Sequence, residues 1–334
     1  MTVRRTRLLD LLSRIPTKRF LVVGDLYLDR YVFGEPARIS REAPVLVLEE
    51  RRIEHRPGGG AAPGLALAAL GASVEQLGVI GDDTEGTLLR QLLGERGVDV
   101  SGIVVDVTRP TTVKTRVVAV GPYNVLPQQI VRVDRQVRDA LAPELEGALA
   151  REVTSRAGRV DALLLSDYQS GVLTPRLVST ALASGRLTVV DSQGRLDAFR
   201  SATVIKCNRA EAERFLGSSL ATPDERATML AHLYRALDCA LLVVTLGGEG
   251  AALVSAEGYR EFPPPAVRNV FDVTGAGDTV LALLAAALAG GATPDEALTL
   301  AQLAAGIVIG KFGNAQATRE ELLAAIEEHL SGVS

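Results

Sequence analysis

The feature that most constrains the fold of this chain is a regular alternation of short apolar runs with longer stretches rich in alanine and leucine. The apolar runs are hydrophobic at successive positions, as expected of parallel strands, because both faces of such strands are buried. The clearest strand candidates are residues 20–24, 162–166, 187–191, 203–206 and 240–245. The clearest helix candidates are residues 64–70, 84–95, 175–184, 211–216 and 224–237. This alternation predicts an α/β fold with a central, mostly parallel sheet flanked by helices.

Two segments break the alternation, because they contain strand-like runs with no helix between them. They are residues 31–56 and 111–134. Their pattern predicts a small, largely antiparallel β-sheet set apart from the main layer. Open α/β sheets bind ligands at the carboxyl ends of their strands, so we expect this small sheet to form a lid there. We therefore expect a single domain over residues 1–334, with a lid formed by about 31–56 and 111–134.

Composition excludes several other classes of protein. A net charge of −4 gives no indication of a nucleic-acid-binding surface. The only two cysteines, Cys207 and Cys239, exclude a disulfide scaffold, and the three histidines are too scattered to predict a zinc site. The most apolar stretch, residues 280–289, is about half the ~20 residues that a membrane span requires. The basic N-terminus indicates a short amphipathic helix rather than a signal peptide, so we expect a cytoplasmic location.

The strongest local signal is the segment DVTGAGDT at residues 272–279, followed at once by an apolar helix. Its glycines let the backbone turn sharply, and the helix start adds unpaired N–H groups and the positive end of the helix dipole. This combination predicts an anion site suited to phosphate. Asp278 lies in the first helical turn, where it is either a helix-capping residue or a general base beside the bound phosphate. The chain contains no P-loop motif.

Two further segments follow predicted strands. Asn208 and Glu211 form either a helix capping box or a pair of oxygen ligands that hold a water-coordinated Mg²⁺. The segment TLGGEG at residues 245–250 is either a glycine-rich hairpin or a close-approach site for a nucleotide. The glycine cluster at residues 58–64 is not a dinucleotide-binding fingerprint, since no ribose-binding acid accompanies it.

Taken in this order, the motifs resemble those of the PfkB, or ribokinase-like, family of carbohydrate kinases. The resemblance covers about residues 19–325, and segment 272–278 matches the C-terminal signature of the family. Within the family, the chain is most similar to kinases that phosphorylate heptose 7-phosphate on the way to ADP-heptose. The segments that carry this likeness are GDLYLDRY at 24–31, RISREAPV at 38–45, PGG at 57–59, QQIVRVD at 128–134, LSDY at 165–168 and GKFG at 310–313.

The resemblance implies a ribokinase-like fold and an ATP-dependent phosphotransferase that acts on a sugar or sugar-phosphate hydroxyl. It implies the following roles: Asp278 as catalytic base; Gly275, Ala276 and Gly277 as the anion hole; Asn208 and Glu211 as the residues that organise Mg²⁺ through water; Thr245, Gly247, Gly250 and Lys311 at the nucleotide; and Asp29, Gly58, Gly59, Lys114 and Arg38 at the acceptor. It also implies ATP and Mg²⁺ as cofactors and a homodimer formed through the β lid. Whether a monovalent cation is required stays open.

The chain departs from the pattern of the family at several acceptor-side positions. Heptose kinases carry Asp-Pro-Lys where this chain has Asp191, Ser192 and Gln193, which removes a cation near the phosphates. The asparagine that usually follows the glycine-rich stretch is absent from residues 60–64, and residues 121–127 resemble an insertion. Two alternatives therefore stay open: a kinase of the same family for another sugar or a nucleoside, and a sensor of sugars or nucleotides without turnover.

Overall fold

The computed structural model describes residues 4–121, 127–265 and 270–331. Within these ranges the strands are β1 (Arg19–Gly24), β2 (Leu26–Ile39), β3 (Leu46–Gly59), β4 (Ser73–Gly81), β5 (Val98–Asp106), β6 (Thr112–Ala119), β7 (Gln128–Arg135), β8 (Ala162–Asp167), β9 (Leu187–Ser192), β10 (Val204–Asn208), β11 (Leu241–Thr245), β12 (Ala251–Ser255) and β13 (Gly258–Phe262). The α-helices are α1 (Arg5–Arg14), α2 (Ala62–Ala69), α3 (Thr84–Gly94), α4 (Pro143–Ala157), α5 (Pro175–Leu182), α6 (Arg209–Leu216), α7 (Pro223–Leu237), α8 (Ala276–Ala289), α9 (Pro294–Ile309) and α10 (Arg319–Ser331).

A nine-stranded sheet forms the centre of the molecule, in the order β13-β12-β11-β10-β9-β8-β1-β4-β5. The strands from β5 to β11 in this order are parallel, whereas β12 and β13 add an antiparallel edge. The prediction of a mostly parallel sheet is thus confirmed. The strand candidates correspond to β1, β8, β9, β10 and β11. The sequence pattern does not indicate β4 and β5, because polar residues such as Glu75 and Ser101 interrupt the apolar runs of these strands.

Helices cover both faces of the large sheet. Alternate residues of β1 enter two separate cores: Phe20 and Val22 pack with helices that include α2, α8 and α9, whereas Leu21 and Val23 pack with α4, α5 and α7. The burial of both faces explains why β1 is apolar at every position from 20 to 23. Helix α8 is buried along 278–287, because α2, α9 and the sheet enclose it. Neither Cys207 nor Cys239 is exposed or disulfide-bonded.

A second sheet of four strands lies in the order β3-β2-β6-β7. Strand β2 pairs antiparallel with β3 and parallel with β6. Its strands fall largely within the two segments predicted to form the lid, and β2 and β3 extend beyond them to Leu26 and Gly59. The residues between 121 and 127, where an insertion was predicted, lie outside the described ranges. None of the described helices is long and apolar enough to cross a membrane.

The glycine pair at the end of β3 gives room to an aromatic ring. Gly58 and Gly59 lie opposite Tyr27 and Leu26 in the strand register. A Cβ atom on either glycine would overlap the Tyr27 ring, and Gly59 has a φ of +59°. The absence of both side chains therefore lets Tyr27 pack at the base of the small sheet.

We predict that Gly59→Ala lowers the free energy of unfolding by about 2–4 kcal/mol, because it combines a left-handed backbone with an overpacked contact. Chemical denaturation in urea measures this change. The control is Gly94→Ala at the end of α3, where a Cβ would meet no atom within 4 Å. Equal stabilities of the Gly59→Ala protein and the unaltered protein would contradict the role assigned to Gly59.

Candidate active site

Polar residues that end neighbouring strands meet at the carboxyl edge of the large sheet. In the strand register Asp191 of β9 lies beside Lys206 of β10, and Asn208 of β10 lies beside Thr245 of β11. Asp191, Lys206 and Asn208 line one cavity at this edge. Asp167 at the end of β8 is engaged separately, because Ser192 and Arg195 both donate hydrogen bonds to its carboxylate.

The segment predicted to bind an anion crosses this edge and leads into α8. Gly275, with a φ of +82°, precedes the helix, and a Cβ there would collide with the side chain of Asn314. The Asp272 carboxylate accepts hydrogen bonds from the N–H groups of Thr274 (2.9 Å) and Gly313 (2.9 Å). These two bonds fix the turn from which α8 begins.

The first turn of α8 presents its N–H groups to a cavity of about 140 Å³. The Ala276 N–H donates to the Val273 carbonyl at 3.3 Å, and no acceptor among the described residues takes the N–H groups of Gly277 or Asp278. A Cβ on Gly277 would lie 2.9 Å from Lys206 Nζ. The bare backbone at Gly277 therefore leaves space for a group between the helix start and this lysine.

The Asp278 carboxyl is buried on the wall of the same cavity. Burial, reinforced by the negative charge of Asp191, raises its pKa to about 7. The Tyr168 hydroxyl donates to Oδ1 (2.9 Å) and Oδ2 (3.0 Å) of this carboxylate. An aspartate with a pKa near neutrality can take up a proton at physiological pH, which is the property that a general base needs.

Sequence reasoning missed Lys206 as a functional residue. Its Nζ lies 2.6 Å from Asp191 Oδ2 and lines the cavity together with Gln193. Burial opposes its charge, but the Asp191 carboxylate outweighs that effect, so the pKa of Lys206 is raised. The cation that the sequence lacks at Gln193 is thus supplied from β10. The sequence feature that could have identified Lys206 is a lysine near the end of an otherwise apolar strand.

Of the two alternatives considered for Asn208 and Glu211, the structure contains the capping box. Glu211 N–H donates to Asn208 Oδ1 (2.9 Å), and Asn208 N–H donates to Glu211 Oε2 (2.8 Å), which completes a capping box at the start of α6. Both side chains also line the cavity that contains Asp278. Burial and the charge of Asp191 raise the pKa of Glu211.

The donor set of this cavity fits a hydrated cation rather than direct ligation. Carboxylates of Asp191, Glu211 and Asp278 outnumber the single positive charge of Lys206 on its wall. Within the described ranges no group of three or more His, Cys, Asp or Glu side chains is close enough to hold a metal directly. Oxygen atoms with excess negative charge suit Mg²⁺, which usually keeps several of its waters.

An apolar pocket of about 420 Å³ lies on the other side of the first turn of α8. The predicted nucleotide residues Thr245, Gly247 and Gly250 line it together with Ala276 and Gly277. Residues 305, 306 and 309 of α9 form its opposite wall. Lys311 does not line it, because its ammonium donates to the Gln316 carbonyl and pairs with Glu321 at 2.6 Å.

The residues predicted to bind the acceptor lie on the small sheet. Asp29 is buried and forms an ion pair with Arg116, yet burial outweighs this pairing and raises the pKa of Asp29. Lys114 Nζ lies 3.9 Å from the centre of the Tyr27 ring. Arg38 is not brought to this group, because it is exposed nine residues farther along β2 than Asp29. Gly58 is close to Asp29, and both Gly58 and Gly59 face the Tyr27 ring.

A third cavity, of about 250 Å³, separates the small sheet from the turn before α8. Tyr31, Arg116 and Gln129 line it from the small sheet, and Asp272 and Thr274 line it from the turn. The Tyr31 hydroxyl is buried and has no hydrogen-bond partner among the described residues. A buried hydroxyl without a partner is costly and marks a place where a polar ligand group fits.

Comparison with known proteins identifies the family of the chain. Residues 18–321 match the model of the pfkB family carbohydrate kinases. The chain is 40% identical to "Bifunctional protein HldE" of Pelobacter propionicus over 95% of its own length and 65% of that protein. It is 37% identical to the protein of the same name from Helicobacter pylori over 91% of its length and 65% of that protein. The chain thus spans about two thirds of the length of these relatives.

Solved structures show the same fold at lower identity. Ribokinase from Arabidopsis thaliana, complexed with ribose and ATP, superposes with a TM-score of 0.72 at 20% identity, covering 93% of this chain and 99% of that one. Phosphofructokinase-2 from Escherichia coli, in complex with fructose-6-phosphate, gives a TM-score of 0.76 at 21% identity, with 94% and 99% coverage. Since the family match spans residues 18–321, the chain belongs to the pfkB family of carbohydrate kinases and is a sugar kinase, a phosphotransferase with an alcohol group as acceptor.

Proposed function

We propose that the chain transfers the γ-phosphate of ATP to the anomeric hydroxyl of heptose 7-phosphate, giving heptose 1,7-bisphosphate. The observation that carries the proposal is the position of Asp278, whose carboxyl has a pKa near 7 beside the free N–H groups that begin α8. The sequence likeness to heptose kinases and the relatives that share this likeness support the choice of acceptor.

The nucleotide occupies the 420 Å³ pocket in this proposal. Its apolar walls suit an adenine ring, while Gly247 and Gly250, both at positive φ, let the backbone approach the nucleotide closely. The phosphates extend past Gly277 into the cavity of Lys206 and Asp278. Asn208 and Glu211 would hold Mg²⁺ through its waters. When bound, Mg²⁺ neutralises charge on the phosphates.

The reaction is an in-line transfer in which this chain positions the groups and stabilises charge. Asp29 binds sugar hydroxyls, and Asp278 takes the proton of the attacking hydroxyl as its oxygen bonds to the γ-phosphorus. The N–H groups of Gly275 and Gly277 and the ammonium of Lys206 stabilise the charge on the transferring group, and the Ala276 N–H joins them by leaving the Val273 carbonyl. Closure of the small sheet as a lid excludes water and limits hydrolysis of ATP.

The distal phosphate of the acceptor occupies the 250 Å³ cavity in this proposal. Arg116 pairs with Asp29 through Nη1, and the other N–H groups of its guanidinium suit a phosphate in the cavity. The Tyr31 hydroxyl, which lacks a partner, supplies a further hydrogen bond. Lys114 adds positive charge at the neighbouring position of β6.

The small sheet also supports a proposed homodimer. Its strands and tip expose apolar side chains that pairing with a second copy would bury: Ile39, Val45, Leu46, Ile130, Val131 and Val133. Removal of this surface from water favours association.

The proposal predicts that heptose 7-phosphate supports ADP formation with a higher kcat/KM than ribose, fructose or fructose 6-phosphate. Steady-state assays across these acceptors measure the ratio of kcat/KM values.

In the variant Asp278→Asn, loss of the base should lower kcat by about 10²–10⁴ and change the affinity for ATP little. A heptose 7-phosphate rate no better than that for ribose would refute the acceptor, and near-normal turnover of Asp278→Asn would refute the base.

The activity should decline on the acid side of about pH 7, because protonation of Asp278 removes the base and its pKa is raised to about 7 by burial. A kcat/KM profile reports the ionisation of groups in the enzyme before the substrate binds. The expected midpoint is near neutrality. An acid limb near pH 4, the ordinary range for an aspartate, would contradict the assignment of this carboxyl as the titrating group.

Arg116→Gln should raise the KM for heptose 7-phosphate by about 10- to 100-fold, because it removes a charge-assisted contact with the distal phosphate. The unphosphorylated heptose serves as the matched substrate, since loss of the Asp29 pairing affects both sugars. The ratio of the two KM changes isolates the contribution of the phosphate. Equal changes for both sugars would remove Arg116 from the phosphate site.

A further inference from the structure

The Tyr168 hydroxyl bonds to both oxygens of the Asp278 carboxylate at nearly equal distances, 2.9 and 3.0 Å. A donor equidistant from the two oxygens lies close to the axis that bisects the carboxylate. From this position the Tyr168 hydroxyl hinders both rotation and displacement of the Asp278 carboxylate. A carboxylate has about four lone-pair positions, so the outer two stay free for the hydroxyl of an acceptor.

Tyr168 is itself held at several points. Its backbone N–H donates to Asp25 Oδ2 at 2.7 Å, and the N–H groups of Ser170 and Val172 donate to the same carboxylate at 3.0 and 3.2 Å. Its ring packs edge-to-face on Tyr27 with centroids 5.3 Å apart, and the Lys114 ammonium lies 5.2 Å from the ring centre. Asp25 follows β1 directly, so the hydroxyl is fixed relative to the central sheet.

We propose that Tyr168 is a positioning residue that orients the Asp278 carboxylate toward the acceptor and favours its deprotonated form. This inference rests on the proposed role of Asp278 as the base. The roles of donor and acceptor in the pair are unambiguous, because burial and the charge of Asp278 raise the pKa of Tyr168 well above 10. Tyr168 therefore stays protonated and donates, and it does not take the proton of the substrate.

The charges around Asp278 explain why this carboxylate needs an anchor. Lys206 lies in the same cavity and already pairs with Asp191. An Asp278 side chain released from Tyr168 can rotate toward the Lys206 ammonium, which would draw the base away from the acceptor. Removal of the hydroxyl also removes a hydrogen bond that stabilises the charged form, while the repulsion from Asp191 remains.

The titratable and charged groups that surround this pair come from every neighbouring element. They are Asp191 on β9, Lys206 on β10, Asp29 and Tyr27 on β2, Lys114 on β6, Asp167 on β8 and Glu211 on α6. Among the described residues none of these groups donates a hydrogen bond to the Asp278 carboxylate, so Tyr168 is the donor whose removal changes its hydrogen bonding.

Two measurements on Tyr168→Phe test the inference. The first is the pH profile of kcat/KM, whose acid limb should move upward by about one pH unit or more. The second is an infrared titration of the ligand-free protein, in which the carboxyl band missing from Asp278→Asn identifies Asp278; its midpoint should move in the same direction. At pH 7 we expect kcat to fall about 10-fold or more, with a smaller change in the KM for the acceptor.

Substitution of 3-fluorotyrosine at position 168 makes the test independent of the folding of Tyr168→Phe. Its hydroxyl is a stronger donor in the same position, so the infrared midpoint of Asp278 should move downward. Tyr234→Phe, which removes a hydroxyl from α7 outside the cavity, is the matched control and should leave the midpoint in place.

An infrared midpoint that stays unchanged in Tyr168→Phe and with 3-fluorotyrosine would overturn the inference. Absence of kinase activity in the unaltered protein would overturn the proposed function instead. In that case the titration of the ligand-free protein still decides whether Tyr168 controls Asp278.

Discussion

The site depends on one electrostatic constraint: the carboxylates of Asp191, Glu211 and Asp278 line one cavity at the edge of the sheet, those of Glu211 and Asp278 are buried, and Lys206 is the cation among them. Burial and mutual repulsion raise the pKa values of Glu211 and Asp278. Such a cluster of carboxylates is stable only where hydrogen-bond donors or positive charges offset its negative charge. The start of α8, the Asn208 N–H that donates to Glu211 and the Tyr168 hydroxyl that donates to Asp278 supply that compensation from three separate parts of the fold.

Much of the architecture could be predicted from local patterns. Doubly buried strands are apolar at each position, and glycine followed by an apolar helix identifies the start of α8, so five strands of the central sheet and the first turn of this helix could be located from the sequence. The boundaries of the small sheet were harder to predict. Strand β2 begins at Leu26, before residue 31, and β3 ends at Gly59, after residue 56; the added part of β2 includes polar residues such as Asp29, which interrupt the apolar pattern.

The side-chain partnerships could not be predicted in the same way. Lys206 looked like the last residue of a strand, and its pairing with Asp191 depends on the register of two strands joined by a helix-containing connection. Lys311 follows α9, which lines the 420 Å³ apolar pocket, yet its long side chain pairs with Glu321 on α10. The orientation of a flexible lysine side chain depends on its tertiary contacts, which a sequence motif does not specify.

The two ends of the β2–β3 hairpin differ in what surrounds them. At its base a single residue, Asp25, separates β1 from β2, and the glycines of β3 leave no room for even one methyl group. At its tip, residues 40–45 are mostly exposed. A side chain added at the base therefore has to displace the Tyr27 ring, whereas the exposed tip leaves space for one. The mechanical consequence is a hairpin held rigidly where it joins the central sheet and free to accept added volume at its far end.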